Sequence, residues 1–348
     1  MGMMDHWHPM CLSSSLKRRR VLGVQLCGRH IALFRTSAGQ VGALDDQCPH
    51  RRMKLSKGTV VNDRLQCRYH GWTFNCEGAG ESPGTPKLHA CAGNYEVREE
   101  YGIIWMKPRD AQAKMPILDI EGFFRMAEME HVAPAPFDVA VDNFCEIEHT
   151  GTIHAIFGYQ LAKLNEVQVR VESTDSTVRV VNVGPPKSMG WFINLLLGVK
   201  KNYVFTDDWT TFFSPVYSVY EHFSSDPETG KEARVRWRLF MFFTPVDDHH
   251  TRVTTLAYAK SKFFGPNGCL KPFRRLMRRK LQHEIDLDVE TLANLANYDS
   301  SMEGMKLSRF DKALGLNRER INRIYRGIKP EGSECEVRSS ELVETSEG

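Results

Sequence analysis

Cys48-Pro-His50 and Cys67-Arg-Tyr-His70 constrain this chain more than any other stretch. Two Cys/His pairs with sixteen residues between them act together only if two separate loops are folded onto one point. The sequence around them supplies such loops. Short β-forming runs at 21–26, 30–35, 41–44, 64–66 and 103–106 are punctuated by glycine and turn residues. A small β domain over roughly the first hundred residues follows, with each pair on a turn between strands.

The ligand types then limit the chemistry. Two thiolates and two neutral imidazoles can divide between the irons of a [2Fe–2S] cluster, cysteines on one and histidines on the other, which raises the reduction potential above that of an all-cysteine cluster. A structural zinc with the same four ligands is the alternative. Zinc fingers usually keep cysteines with cysteines and histidines with histidines, whereas here each loop brings one of each, and that favours the cluster. Pro49 stiffens one loop, Gly71 lets the backbone approach the sulfides, and Trp72 can shield the site.

A second concentration of ligand-type residues lies at 143–154, Asn-Phe-Cys-Glu-Ile-Glu-His-Thr-Gly-Thr-Ile-His. Oxygen-activating Fe(II) is typically held by two histidines and one carboxylate on one face. His149 and His154 are the candidate pair. Five residues of regular helix would turn them about 140° apart, so the helix must break between them, and Gly151 is the expected place. Asn143, Glu146 and His149 are spaced three apart and are expected to share one helical face. Taken alone, the pair is more often the pattern of two partly buried, hydrogen-bonded histidines. Its weight comes from the cluster motif upstream.

The third ligand has to come from elsewhere. The stretch 283–292, His-Glu-Ile-Asp-Leu-Asp-Val-Glu-Thr-Leu, offers Glu284, Asp286, Asp288 and Glu290. Leu281, Ile285, Val289, Leu292 and Ala296 define an apolar face on which Asp288 falls, while Asp286 and Glu290 point away. A carboxylate on a buried face is costly unless it is paired or binds a metal. Asp288 is therefore the expected ligand, with Asp286 second.

Cys-Pro-His-Arg followed by Cys-Arg-Tyr-His-Gly-Trp, with 143–154 downstream, resembles the signature of the Rieske non-haem iron oxygenases. The likeness runs from Trp7 to about Asn297 and includes the Tyr101-Gly-Ile-Ile-Trp105 segment that often closes the Rieske domain. It implies an α+β fold: an N-terminal Rieske β domain and a C-terminal helix-grip catalytic domain, whose antiparallel sheet wraps an apolar substrate cavity. It implies a [2Fe–2S] cluster at Cys48, His50, Cys67 and His70, and mononuclear Fe(II) at His149, His154 and Asp288. The family's ligand aspartate is generally followed four residues later by a bulky apolar residue, which is Leu292 for Asp288. Glu146 stands where these enzymes usually carry an aspartate that bridges a cluster histidine of one subunit to an iron-ligating histidine of its neighbour. Asn143 matches a near-iron position of several monooxygenase members.

The organisation expected is a Rieske domain at 1–115, a catalytic domain at 116–330 and a disordered Ser/Glu-rich tail at 331–348. Residues 108–136 read as a connector. β-rich runs at 167–183, 203–220, 233–244 and 251–258 build the second sheet, and the apolar stretch 184–201 reads as a lid or a buried helix. Lys271 to Lys280 is basic and expected to be a solvated helix face.

Across 348 residues the net charge is +3, too balanced for a nucleic-acid binder. No apolar run approaches the roughly 20 residues of a membrane span. Nine cysteines argue for reduced thiols and a cytoplasmic setting. The expected activity is hydroxylation or oxidative dealkylation of an apolar or aromatic small molecule with O2. Electrons would come from NAD(P)H through a flavin reductase or ferredoxin, and the resemblance favours a homotrimeric monooxygenase. A dihydroxylating dioxygenase and a non-enzymatic Rieske electron-transfer protein are the alternatives. Arg51, Arg52, Lys54 and Lys57, with 18–20 as a second patch, are the expected docking surface for an acidic donor.

Overall fold

The computed structural model describes residues 2–187, 190, 194–195, 197–261, 268 and 271–328. The expected tail at 331–348 lies outside them, as do Met189, Trp191 and Phe192 of the expected lid.

The first hundred residues form three small antiparallel sheets. His8–Leu12 pairs with Ile103–Pro108, which pairs with Tyr95–Glu100; Val21–Leu26, Arg29–Arg35 and Val41–Asp45 form a meander. The third sheet holds Thr59–Val61, Arg64–Gln66, Thr73–Phe74, Ala79–Glu81 and Ala90–Cys91. Two-residue turns at Cys27-Gly28, Asn62-Asp63 and Tyr101-Gly102 have both φ values positive, the turn geometry that matches strand twist.

The rest of the chain builds one seven-stranded antiparallel sheet. Its strands, in spatial order, are Phe124–Ala133, Thr251–Lys260, Arg236–Pro245, Val216–Ser225, Val204–Phe213, Thr177–Gly184 and Gln168–Ser173. Strand Phe124–Ala133 lies inside the stretch expected to be a connector, and it pairs with Thr251–Lys260 over nearly its whole length. Its glutamates had masked it: Glu128 and Glu130 are poor strand formers by composition, but here they are tied to Arg125 and Arg252.

Helices Phe137–Phe144, Arg274–Ala293 and Lys312–Arg320 pack on one face of this sheet through Phe137, Val141, Leu281, Ile285, Leu292 and Leu314. The first sheet of the N-terminal region covers the other face. Trp7, Ile103 and Trp105 join Phe240, Phe242 and Leu256 in one apolar cluster, and Trp105 meets Phe242 edge to face at 4.9 Å. Backbone bonds from Cys27 to Pro245 and from Gly28 to Val246, both 2.8 Å, tie the two parts further. The fold is α+β, as expected. Among the described residues no helix is long and apolar enough to cross a membrane.

Candidate metal centres and substrate cavity

The two cluster-motif loops have the same backbone design. In the first, the Arg52 N–H donates to Cys48 O at 2.8 Å and the Cys48 N–H to Met53 O at 2.8 Å. In the second, the Gly71 N–H donates to Cys67 O at 3.1 Å and the Cys67 N–H to Trp72 O at 2.7 Å. The fourth residue after each cysteine takes a left-handed φ, +59° at Arg52 and +73° at Gly71. Glycine adopts that geometry without strain, which gives Gly71 its role.

Both thiols face inward and are 2% exposed, while the His50 and His70 rings lie 4.5 Å apart at the surface. Trp72 stacks flat on His50, 4.7 Å between centroids and 7° between planes. Burial pushes the Cys48 thiol up, opposed by backbone N–H groups of His50 and Arg51 that favour a thiolate. Neither cysteine is in a disulfide. Two thiols below and two imidazoles above form the donor set that a [2Fe–2S] cluster of mixed ligation takes.

The second centre sits on the helical face of the large sheet. Helix Phe137–Phe144 ends at Cys145, before the glycine expected to break it, and a short 3-10 turn at Glu148–Gly151 follows. Gly151 has no positive φ. The shared helical face expected for Asn143, Glu146 and His149 is therefore interrupted. The cause is Glu146, whose Oε2 accepts the N–H of Glu148 and, at 3.4 Å, that of His149. A side chain that captures the next backbone donors competes with continuing the helix. The Tyr220 hydroxyl donates to the carbonyl of Phe144 and satisfies an orphan acceptor at the helix end.

This break brings His149 and His154 round to Asp288. Ligand-type atoms of the three lie within 4.8 Å of one another, with His154 Nε2 3.1 Å and His149 Nε2 3.3 Å from Asp288 Oδ1. His149 Nε2 is buried without a well-directed hydrogen bond, which marks it as a donor set for a metal rather than a closed polar network. Its Nδ1 is held by Glu146 Oε1, so the tautomer that leaves Nε2 free to ligate is fixed. Burial alone would raise the Asp288 carboxyl, but the His149 and His154 imidazoles packed against it hold it at about 2. Asn143 Nδ2 donates to the same Oδ1 at 3.2 Å.

Asp286 is elsewhere. Its side chain is 54% exposed and bonds His131 Nε2 and Gln282 Nε2, each at 3.1 Å. Glu290 is exposed too. The apolar face of helix Arg274–Ala293 stops short of Ala296, which is exposed beyond the helix end.

Four further polar groups shape the site: Glu284, one of the carboxylates the sequence offered but did not favour, and Lys187, Asp207 and His222, which it did not single out. Glu284, one turn before Asp288 and 4% exposed, accepts the N–H of Ala155 at 3.0 Å and of Ile156 at 3.5 Å, and lies 3.7 Å from His154 Nδ1. Its spacing of four from Asp288 was a usable signal. Lys187 donates to Thr150 O at 2.8 Å and to His154 O, fastening the metal-motif loop from the other side. Asp207 and His222 form a buried pair at 2.9 Å across neighbouring strands, legible only once strand register is known.

Glu284, Asp207 and His222 line a cavity of about 670 Å³, open to solvent, whose apolar wall includes Phe144, Phe157, Trp209, Leu239 and Met241. A largely apolar wall with a few convergent polar groups is the character of a site for a small organic molecule. A second cavity of about 430 Å³ lies beyond Phe157 and His222, partly walled by Pro186, Leu197 and Val199 of the expected lid.

Comparison with known proteins follows the same division of the chain. The family described as Rieske [2Fe-2S] domain matches residues 6–94, and that described as vanillate O-demethylase oxygenase C-terminal domain matches 133–324. Protein TIC 55 of Pisum sativum is 29% identical over 191 residues, half of this chain and 34% of that protein. The 4beta-methylsterol monooxygenase of Methylococcus capsulatus is 32% identical over 167 residues, 42% of this chain and 43% of that one. The chain thus spans less than half the length of either curated relative. Dicamba monooxygenase bound to 3,6-dichlorosalicylic acid has the same fold, with a TM-score of 0.71 at 19% identity over 92% of this chain and 97% of that one. With both family matches in this order, the second over more than half of its length, the chain belongs to the Rieske non-haem iron oxygenases.

Proposed function

We propose that the protein is a Rieske monooxygenase that hydroxylates or oxidatively dealkylates an apolar or aromatic small molecule, in the cytoplasm and as a homotrimer. One observation carries the reading: His149, His154 and Asp288 converge on the wall of a largely apolar cavity, in a chain that also presents paired Cys/His loops. A purely electron-carrying Rieske protein has no use for that second donor set or for the cavity. The name of the Methylococcus relative, a monooxygenase, supports the same reaction class.

Cys48, Cys67, His50 and His70 would hold the cluster, and His149, His154 and Asp288 the mononuclear iron. Bound together, these groups supply one-electron storage and oxygen activation. The chain's own residues do the rest. Glu146 fixes the His149 ring through Nδ1, Asn143 steadies Asp288, and Glu284 with Lys187 holds the loop that carries His154. Phe144, Trp209, Leu239 and Met241 keep the reacting carbon in a dry environment. The exposed His50 and His70 edges, flanked by Arg51, Arg52, Lys54 and Lys57, face solvent where a ferredoxin or flavin reductase fed by NAD(P)H would dock.

Metal and sulfide analysis tests this reading directly. Purified protein should be brown, with acid-labile sulfide and about three irons per chain, two in the cluster and one mononuclear. Cys67→Ala should bleach the colour while leaving mononuclear iron. Zinc in place of iron and sulfide would defeat the assignment.

A further inference from the structure

Asp207 and His222 take no part in the metal centre, yet both are buried, 6% and 8% exposed, in the cavity wall contributed by the sheet. Asp207 Oδ1 accepts from His222 Nε2 at 2.9 Å, so the imidazole proton is held on Nε2 and Nδ1 is left as an acceptor. That Nδ1 is buried and has no partner. The ring is packed among Phe157 at 5.2 Å, Phe205 at 5.6 Å and Tyr220 at 5.8 Å, which removes its freedom to turn away. An unpaired buried acceptor costs free energy that a donor from a ligand would recover.

Position gives the pair further meaning. His222 and Phe157 belong to the walls of both cavities and stand at their junction. A molecule extending from one cavity towards the other would lie against His222, Phe157 and Gly158, the residues that both walls share. The outer cavity is walled chiefly by apolar groups such as Leu197, Val199, Val235 and Trp237.

Charge restricts the occupant. The inner cavity is lined by four carboxylates, Glu146, Asp207, Glu284 and Asp288, and among its described lining residues there is no lysine or arginine. Lys187, in the outer wall, already donates to two carbonyls. With an iron at His149, His154 and Asp288 already faced by these carboxylates, a ligand carboxylate would be desolvated with no guanidinium or ammonium to meet it.

We propose that the Asp207–His222 pair is a specificity element that accepts a hydrogen bond from a hydroxyl or N–H group of a neutral, elongated, mainly apolar substrate spanning both cavities, and that it discriminates against aromatic carboxylates. His222 makes the contact and Asp207 positions its tautomer. The inference rests on the oxygenase reading and narrows its substrate class.

Three probes of one shape test it on the anaerobic ferrous holoenzyme, with dissociation constants read from quenching of tryptophan fluorescence: biphenyl-4-ol, 4-methoxybiphenyl and biphenyl-4-carboxylate. The alcohol should bind about tenfold or more tighter than the ether or the carboxylate, the factor expected for one hydrogen bond to a buried acceptor. In His222→Phe and Asp207→Asn the three constants should come within about twofold of one another, while His222→Gln, which keeps an acceptor, retains part of the preference. A selective change in this ratio is something a merely structural role would not produce. Equal or tighter binding of the carboxylate, a preference that survives His222→Phe, or failure of all three probes to bind overturns the proposal. The wild-type ranking decides even where a variant does not fold. Iron content of the same samples bears on the oxygenase reading separately.

Discussion

Replacing Glu284 tests whether the polar groups behind the metal ligands serve metal binding or only folding. In Glu284→Ala the N–H groups of Ala155 and Ile156 lose their acceptor, and the loop that positions His154 loses its anchor to the long helix. A hydrogen bond to a charged group contributes about 1.5–3 kcal/mol. The Ala155 contact at 3.0 Å counts in full, whereas the Ile156 contact at 3.5 Å is at the limit of a hydrogen bond. Ala155 is exposed, so water replaces part of what is lost. A destabilisation of about 2 kcal/mol results, which is a fall of a few degrees in Tm for a chain of this size. Loss of a partner that orients a ligand typically lowers metal affinity by about 10- to 100-fold. Anaerobic chelator competition with Fe(II), alongside thermal melting, measures both. Glu284→Gln keeps one acceptor oxygen and should show a smaller drop in each. A lowered Tm with unchanged metal affinity would refute the argument and reduce Glu284 to a helix-to-loop tie.

Asp288→Ala should empty the mononuclear site while the cluster spectrum persists, and Asp286→Ala should leave iron content unchanged, because Asp286 serves His131 and Gln282 at the surface; iron analysis separates the two. Glu146→Gln should keep both metal sites, since an amide fills the same space, but slow oxidation of the reduced cluster in rapid-mixing experiments, because the charge-assisted bond to His149 is lost; wild-type rates would remove Glu146 from the electron path. Lys54→Glu with Lys57→Glu should slow reduction by the physiological donor at low salt and flatten its salt dependence, with dithionite reduction unchanged, because complementary charge acts mainly on encounter rate.

Much of the architecture was readable from residue pattern alone, for reasons that also explain the misses. The strands at 21–26 and 64–66 follow from local runs that burial did not override. Asp288 stood out because a charged residue within an apolar helical stripe is a local anomaly, and Glu284, one turn earlier and equally buried, is a second one that the same test did not favour. Strand Phe124–Ala133 was hidden because its charged residues are reconciled only by arginines far away in sequence. The helix break was placed at Gly151 because glycine is the visible breaker, whereas Glu146 does it through a side-chain bond that composition does not reveal. Asp207 and His222 are fifteen positions apart and meet only because the hairpin register sets them opposite each other.

The apolar seam of Trp7, Ile103 and Trp105 against Phe240, Phe242 and Leu256 determines how the molecule can come apart. Fully burying side chains of this kind contributes about 1.5–3 kcal/mol each, so separating the N-terminal sheets from the catalytic sheet exposes far more than a hinge tolerates. The two halves should melt as one cooperative unit, with amides on both sides of the seam protected from hydrogen exchange to the same depth. A fragment ending near residue 115 would carry this face into solvent and self-associate rather than persist as a free electron carrier.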